Sequence, residues 1–140
     1  MTGIMINKID HIGIAVRSID GALPLYRDVF GLKFCGDEIV EEQGVRVAFL
    51  EIGDVAIELL EPLSDDSPVG KFLARRGEGI HHIALLTDEI DAARSRVSGR
   101  GVRLLSETPL DGAHGKLISF MHPKDTGGVL LELTQRTDEH

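Results

Sequence analysis

Two stretches decide how this chain folds: IDHIGIAV at Ile9–Val16 and IHHIALLT at Ile80–Thr87. Laid on each other, Ile9, His11, Ile12 and Ile14 meet Ile80, His82, Ile83 and Leu85 at an offset of 71 residues. The same offset carries Ile19, Asp20 and Ala22 onto Ile90, Asp91 and Ala93, and Phe49 onto Phe120. GLKF (Gly31–Phe34) meets GVRL (Gly101–Leu104) at 70. Ile57–Glu58–Leu59 meets Leu131–Glu132–Leu133 at 74, because the turn HPKDTGG replaces a bare GD. Each match alone is weak. Five in order, with small shifts in offset, mark an internal duplication. Repeat one runs over about 8–63 and repeat two over about 78–135, with Ser64–Pro68 (SDDSP) as the candidate joint. At 140 residues the whole is the length of one domain, 1–140.

Working outward, each copy reads as strand, helix, then strands. Ile9–Val16 alternates His11, Gly13 and Ala15 with Ile12, Ile14 and Val16, a period-2 strand with two unlike faces. Ser18 or Asp20 can cap the helix GALPLYRDVF, with Pro24 in its first turn and Gly31 past its end. In the second copy Asp88 or Asp91 starts DAARSRVSGR and Gly101 ends it. Val45–Glu51, then GD, then Val55–Glu61 is a hairpin, repeated with a longer turn by Lys116–Met121 and Gly128–Gln135. Leu32–Ile39 and Val102–Glu107 supply the remaining strands. The fold class is α+β: two tandem βαβββ units whose sheets face each other or close around a shared cleft.

The polar residues on these strands carry the chemistry. His11 shares a face with small residues and His82 with Ala84 and Leu86, while His81 falls on the helix-packed side. Glu58 sits between Ile57 and Leu59, and Glu132 between Leu131 and Leu133. A carboxylate inside an aliphatic strand is costly unless paired, hydrogen-bonded or metal-bound. The duplication superposes His on His and Glu on Glu, 47 and 50 residues apart within the copies. His11, Glu58, His82 and Glu132 converging on a pseudo-two-fold axis make a divalent-metal site. Such nitrogen and oxygen donors suit Co²⁺, Mn²⁺, Zn²⁺, Ni²⁺ or Mg²⁺. In an octahedral ion they leave two positions open, enough to chelate two oxygens of one substrate. The bland alternative makes the histidines satisfied edge residues and the glutamates surface ion pairs.

Composition removes whole classes of function. Fifteen Lys+Arg stand against 23 Asp+Glu, a net charge of −8, which argues against general nucleic-acid binding. Cys35 is the single cysteine, so an internal disulfide and a cysteine-based metal site are excluded. Lying between Phe34 and Gly36, it reads as a small packing residue rather than a nucleophile. No apolar run approaches a membrane span. MTGIMINKID lacks the apolar core of a signal peptide, and with one cysteine the expected location is cytoplasmic.

The His…Glu…His…Glu pattern on a tandem βαβββ repeat resembles the vicinal oxygen chelate superfamily, which includes glyoxalase I, extradiol dioxygenases and bleomycin-resistance proteins. Within it, IDHIGIAV, EEQGVRVAFLEIGD (Glu41–Asp54), IELLEPLSDDSPVGKFL (Ile57–Leu73), GEGIHHIA (Gly77–Ala84) and HPKDTGGVLLEL (His122–Leu133) resemble the methylmalonyl-CoA epimerases. The resemblance covers about residues 8–135 and implies a cupped mixed sheet around a metal-binding cleft. It also implies an isomerase of propionate metabolism that interconverts 2R- and 2S-methylmalonyl-CoA by proton abstraction at C2, through an enolate stabilised by a divalent ion, cobalt above the others. The thioester oxygen and the malonyl carboxylate would take the two open metal positions.

Glu132 matches the family's carboxylate that is both ligand and base. Some epimerases carry a second glutamate where this chain has Val47, which cannot move a proton, and glutamine where it has Glu58. Glu58 is therefore the expected second base as well as a ligand, an arrangement closer to glyoxalase I. Glu51 and Glu61 are strand-end residues expected to be solvated. For the anionic CoA tail, Lys124 and Lys116 rank above Lys71, Arg75 and Arg76. The competing readings are a glyoxalase I-type lyase, an iron-dependent extradiol dioxygenase and a metal-free binding protein of the bleomycin-resistance type. Unpaired strand edges and the habit of the superfamily predict a homodimer with each site contained in one chain.

Overall fold

The computed structural model describes residues 5–137. Eight strands are present among them: β1 (Ile6–Ala15), β2 (Lys33–Val40), β3 (Val45–Ile52), β4 (Val55–Pro62), β5 (Gly79–Thr87), β6 (Leu110–Asp111), β7 (Leu117–Phe120) and β8 (Leu131–Gln135). The helices are α1 (Ile19–Leu23), α2 (Pro68–Arg76) and α3 (Ile90–Gly99). The fold is α+β. The chain divides into two compact units, residues 11–81 and residues 5–10 with 82–137, the boundaries falling inside β1 and β5.

In the unit of residues 11–81 the strand order is β2-β3-β4-β1. β1 runs parallel to β4, while β3 is antiparallel to both β4 and β2. The β3–β4 hairpin turns at Gly53, whose φ of 62° lies in the left-handed region that glycine adopts without strain. Ile14, Val16, Ala48, Leu50, Ile57 and Leu59 share one face of the sheet and pack with Ile19 and Leu23 of α1. Ser18, not Asp20, caps α1, its hydroxyl accepting from the Gly21 amide. Pro24 falls after the first turn and opens a π-helical segment, Pro24–Val29, where the Phe30 amide donates to the Leu25 carbonyl.

The expected joint, Ser64–Pro68, is a turn that leads directly into α2. Ser67 caps α2, accepting from Gly70, and Pro68 takes the first position, where its missing N–H costs nothing. A Cβ on Gly70 would stand 2.4 Å from the Ser64 carbonyl oxygen, so only glycine lets the cap close this tightly.

In the unit of residues 5–10 and 82–137 the order is β5-β8-β7-β6, again with the first strand parallel to the last and the hairpin strands antiparallel. Ile90 and Ala93 of α3 pack on Met121 and Leu133. Here the structure corrects two expectations. Neither Asp88 nor Asp91 caps α3: its N-cap is Glu89, which makes no side-chain cap bond, and the Gln135 side chain accepts from the Ile90 amide at 2.7 Å. Val102–Glu107 forms no strand, only a bridge from Leu104 to Met121. The Arg94 guanidinium takes the carbonyls of Ser106 and Glu107 together with the Ser119 hydroxyl, so those carbonyls are not available to a ladder.

Candidate active site

The register sets each pair of polar side chains by the same rule. On β1 and β4, Gly13 lies opposite Glu58 and His11 opposite Ala56, so His11 is the diagonal neighbour of Glu58 on one sheet face. On β5 and β8, Ala84 lies opposite Glu132, and His82, two residues earlier, is the diagonal neighbour of that carboxylate. Each glutamate also faces a phenylalanine across its hairpin, Glu58 to Phe49 and Glu132 to Phe120. The His82 ring meets Phe120 edge-on, with centroids 5.4 Å apart. In both units the alternation that sends leucines and isoleucines to the helices leaves an imidazole and a carboxylate on the other face.

Within residues 11–81, His11 Nδ1 stands 3.4 Å from Glu58 Oε2. Within the other unit, His82 Nε2 stands 3.4 Å from Glu132 Oε1. These separations are long for a hydrogen bond. They match the spacing of about 3.0–3.4 Å between two ligand atoms each ~2.1 Å from a common ion. The four residues are 4%, 4%, 6% and 2% exposed, which excludes the reading of solvated surface ion pairs. Buried imidazole and carboxylate donors without thiolate fit Co²⁺, Mn²⁺, Zn²⁺ or Ni²⁺.

The remaining candidates meet their expectations in part. Glu51 is exposed, as expected, with Lys33 at 3.9 Å. Glu61 is not simply solvated: its Oε1 accepts from the Ile19 amide at 2.7 Å and caps α1. Lys116 is drawn into Asp10 at 2.7 Å, with Arg136 completing the cluster at 2.9 Å. Lys116, one of the two lysines expected at the CoA tail, thus has an internal carboxylate partner. Lys124 is exposed in the turn after β7, where its amide donates to His122 Nδ1 and an Arg103–Asp125 pair braces the same turn. Cys35 is exposed rather than packed, because its position on β2 points it outward; partial desolvation and neighbouring Glu51 hold its pKa above the usual thiol value, which disfavours the nucleophilic thiolate. His81 packs edge-on against Phe72 of α2, and burial lowers its pKa to about 4.

Sequence reasoning missed Asp10 and both helix-capping side chains, Glu61 and Gln135. A signal for the caps was present: Glu61 and Gln135 are equivalent at offset 74, as are Ile19 and Ile90 at 71. Nothing comparable announces Asp10, whose repeat equivalent is His81.

The chain belongs to the glyoxalase/bleomycin resistance protein/dioxygenase superfamily, whose family profile matches residues 10–120. It is 47% identical to the uncharacterized protein YqjC of Bacillus subtilis, over 96% of both chains. It is 41% identical to the ethylmalonyl-CoA/methylmalonyl-CoA epimerase of Cereibacter sphaeroides, covering 94% of this chain and 99% of that one. Among solved structures, a variant of the Streptomyces coelicolor methylmalonyl-CoA epimerase in complex with 2-nitronate-propionyl-CoA superposes with a TM-score of 0.91 at 44% identity, covering 95% of this chain and 99% of that one. Within the superfamily, these likenesses put the chain in the family of the methylmalonyl-CoA epimerases. Among the described residues, no helix is long and apolar enough to cross a membrane.

Proposed function

We propose that this chain epimerises 2-substituted malonyl-CoA thioesters, methylmalonyl-CoA first, at a divalent ion held by His11, Glu58, His82 and Glu132. The observation that carries the reading is the recurrence of one buried imidazole–carboxylate pair, at 3.4 Å, at repeat-equivalent positions. When bound, the ion supplies Lewis-acid stabilisation for the negative charge that develops on the thioester oxygen as the C2 proton leaves. Glu132 takes that proton from one face of C2, and Glu58 returns one to the other. Val47 is 3% exposed and carries no ionisable group, which leaves the second transfer to Glu58. His11 and His82, as neutral imidazoles, would each offer one ring nitrogen lone pair to the ion. Buried aliphatic and aromatic neighbours, Phe49 and Leu60 among them, keep water from the carbanionic carbon.

The finer parts of the reading follow the same chemistry. Cobalt is the preferred ion, and the reaction belongs to propionate metabolism in the cytoplasm. Lys124, exposed on a braced turn, meets the anionic CoA tail. The active form is a homodimer, supported by exposed Val29 and Phe30 at the end of the π-helical segment and by exposed Ile39 on the edge strand β2. The likeness to an ethylmalonyl-CoA/methylmalonyl-CoA epimerase supports tolerance of one further methylene at C2, a difference worth only ~1–3 kcal/mol in an apolar pocket.

The test is exchange of deuterium from solvent into C2 of methylmalonyl-CoA, with and without a chelator. Exchange that stops with chelator and returns with Co²⁺ is expected. Exchange indifferent to metal removal defeats the metal reading, and its absence under all conditions defeats the epimerase reading. Turnover of the methylglyoxal–glutathione hemithioacetal in its place selects the glyoxalase I alternative.

A further inference from the structure

Asp10 is a buried carboxylate that the proposed reaction does not use. Its side chain is 1% exposed, with Lys116 Nζ 2.7 Å from Oδ2 and an Arg136 guanidinium nitrogen 2.9 Å from Oδ1. The two cations come from the residue preceding β7 and the residue following β8. A carboxylate taken out of water is tolerated when charged donors satisfy both of its oxygens, as they do here. The cluster is not part of the duplication: Asp10 aligns with His81, Lys116 precedes a hairpin strand, and Arg136 lies beyond the last one. A device present at only one of two equivalent strands answers a need of that strand.

The residue bonded to Asp10 is His11. We propose that Asp10, clamped by Lys116 and Arg136, is a positioning residue that fixes the backbone of β1 at His11 and so holds the imidazole ready for the metal. This rests on the metal reading of His11. Ligand geometry must be held within about half an ångström, and supporting contacts are worth roughly 10–100-fold in metal affinity. Lys116 then serves the metal ligand rather than the CoA tail, and the two roles separate in measurement.

The experiment is Co²⁺ titration of the full chain, stripped with chelator, by competition with a chromogenic indicator, alongside steady-state kinetics at saturating Co²⁺. Asp10→Asn is expected to weaken Co²⁺ binding by about tenfold or more. Lys116→Met shifts it in the same direction, and Arg136→Met less, since that side chain is 51% exposed. KM for methylmalonyl-CoA stays unchanged in all three. Ser67→Ala, which uncaps α2, serves as a destabilised control and leaves Co²⁺ affinity where it was. If Asp10→Asn fails to fold, Lys116→Met carries the test, because it leaves Asp10 paired with Arg136. Wild-type Co²⁺ affinity in Lys116→Met and in folded Asp10→Asn overturns the positioning role. A raised KM in Lys116→Met with Co²⁺ affinity intact overturns it in favour of tail binding. Failure of the unmodified chain to bind Co²⁺ defeats the metal reading itself.

Discussion

Glu58 and Val47 are where this chain departs from the pattern that its resemblance suggests. Glu58 is buried beside His11, and the neighbouring strand offers Val47, so the proposed mechanism assigns the second proton transfer to Glu58 alone. Glu58→Gln keeps the shape and an oxygen donor but cannot accept a proton. It is expected to lower epimerisation by at least about 100-fold at saturating Co²⁺, the usual contribution of a general base. Exchange at C2 should survive from one epimer, the one that Glu132 deprotonates. Full epimerisation, with exchange from both epimers, removes Glu58 from the mechanism. His81 offers a test of stability instead. Its folded pKa of about 4 lies below the usual ~6.5, so between those values the unfolded chain binds a proton that the folded chain refuses. Stability is therefore complete above about pH 6.5, falls as pH drops toward 4, and loses nothing further below that. The loss is at most about 3 kcal/mol. His81→Phe keeps an aromatic ring against Phe72, and in chelator-treated protein it should flatten urea-unfolding stability between pH 7.5 and 5. An unchanged slope contradicts the assignment.

At the scale of elements, the duplication extends to how the helices begin. Ile19 and Ile90 each donate their amide to a side chain at the end of the last strand of their unit, Glu61 and Gln135, both at 2.7 Å. α1 has Ser18 as well, while α3 has no side-chain cap at Glu89. Gln135→Ala is therefore expected to cost about 1 kcal/mol, and Glu61→Ala less. The check is the urea midpoint, with an unchanged m-value. Equal losses would mean that Ser18 contributes nothing to α1. Hydrophobic alternation made β1, β5 and both hairpins legible, because half-buried strands must send apolar residues to one side. It misjudged Val102–Glu107 for a reason that no local pattern contains. Arg94, 12 and 13 residues away in sequence, binds the Ser106 and Glu107 carbonyls that a ladder would have used. The helix α2 could have been read from Ser67, Pro68 and the terminating Gly77, which are ordinary start and stop signals.

For the whole molecule, the question is whether one chain suffices for a site. His11, Glu58, His82 and Glu132 occur once each along a single sequence, so no ligand need be borrowed. Mixing His11→Ala and Glu132→Ala chains, refolded together, should give a dead mixture that still elutes as a dimer. Recovered activity would mean that each site draws ligands from two subunits. The sequence by itself determined the class of fold, the duplication and the four polar positions, because strand alternation and repeat equivalence are properties of order along the chain. The tertiary structure alone decided the rest: that each histidine lies diagonal to its glutamate at 3.4 Å, that Glu61 and Gln135 cap helices, and that Lys116 answers Asp10 from 106 positions away. Those facts depend on register and on which ends of strands meet. Periodicity along a sequence records which way a side chain faces, but not what stands opposite it.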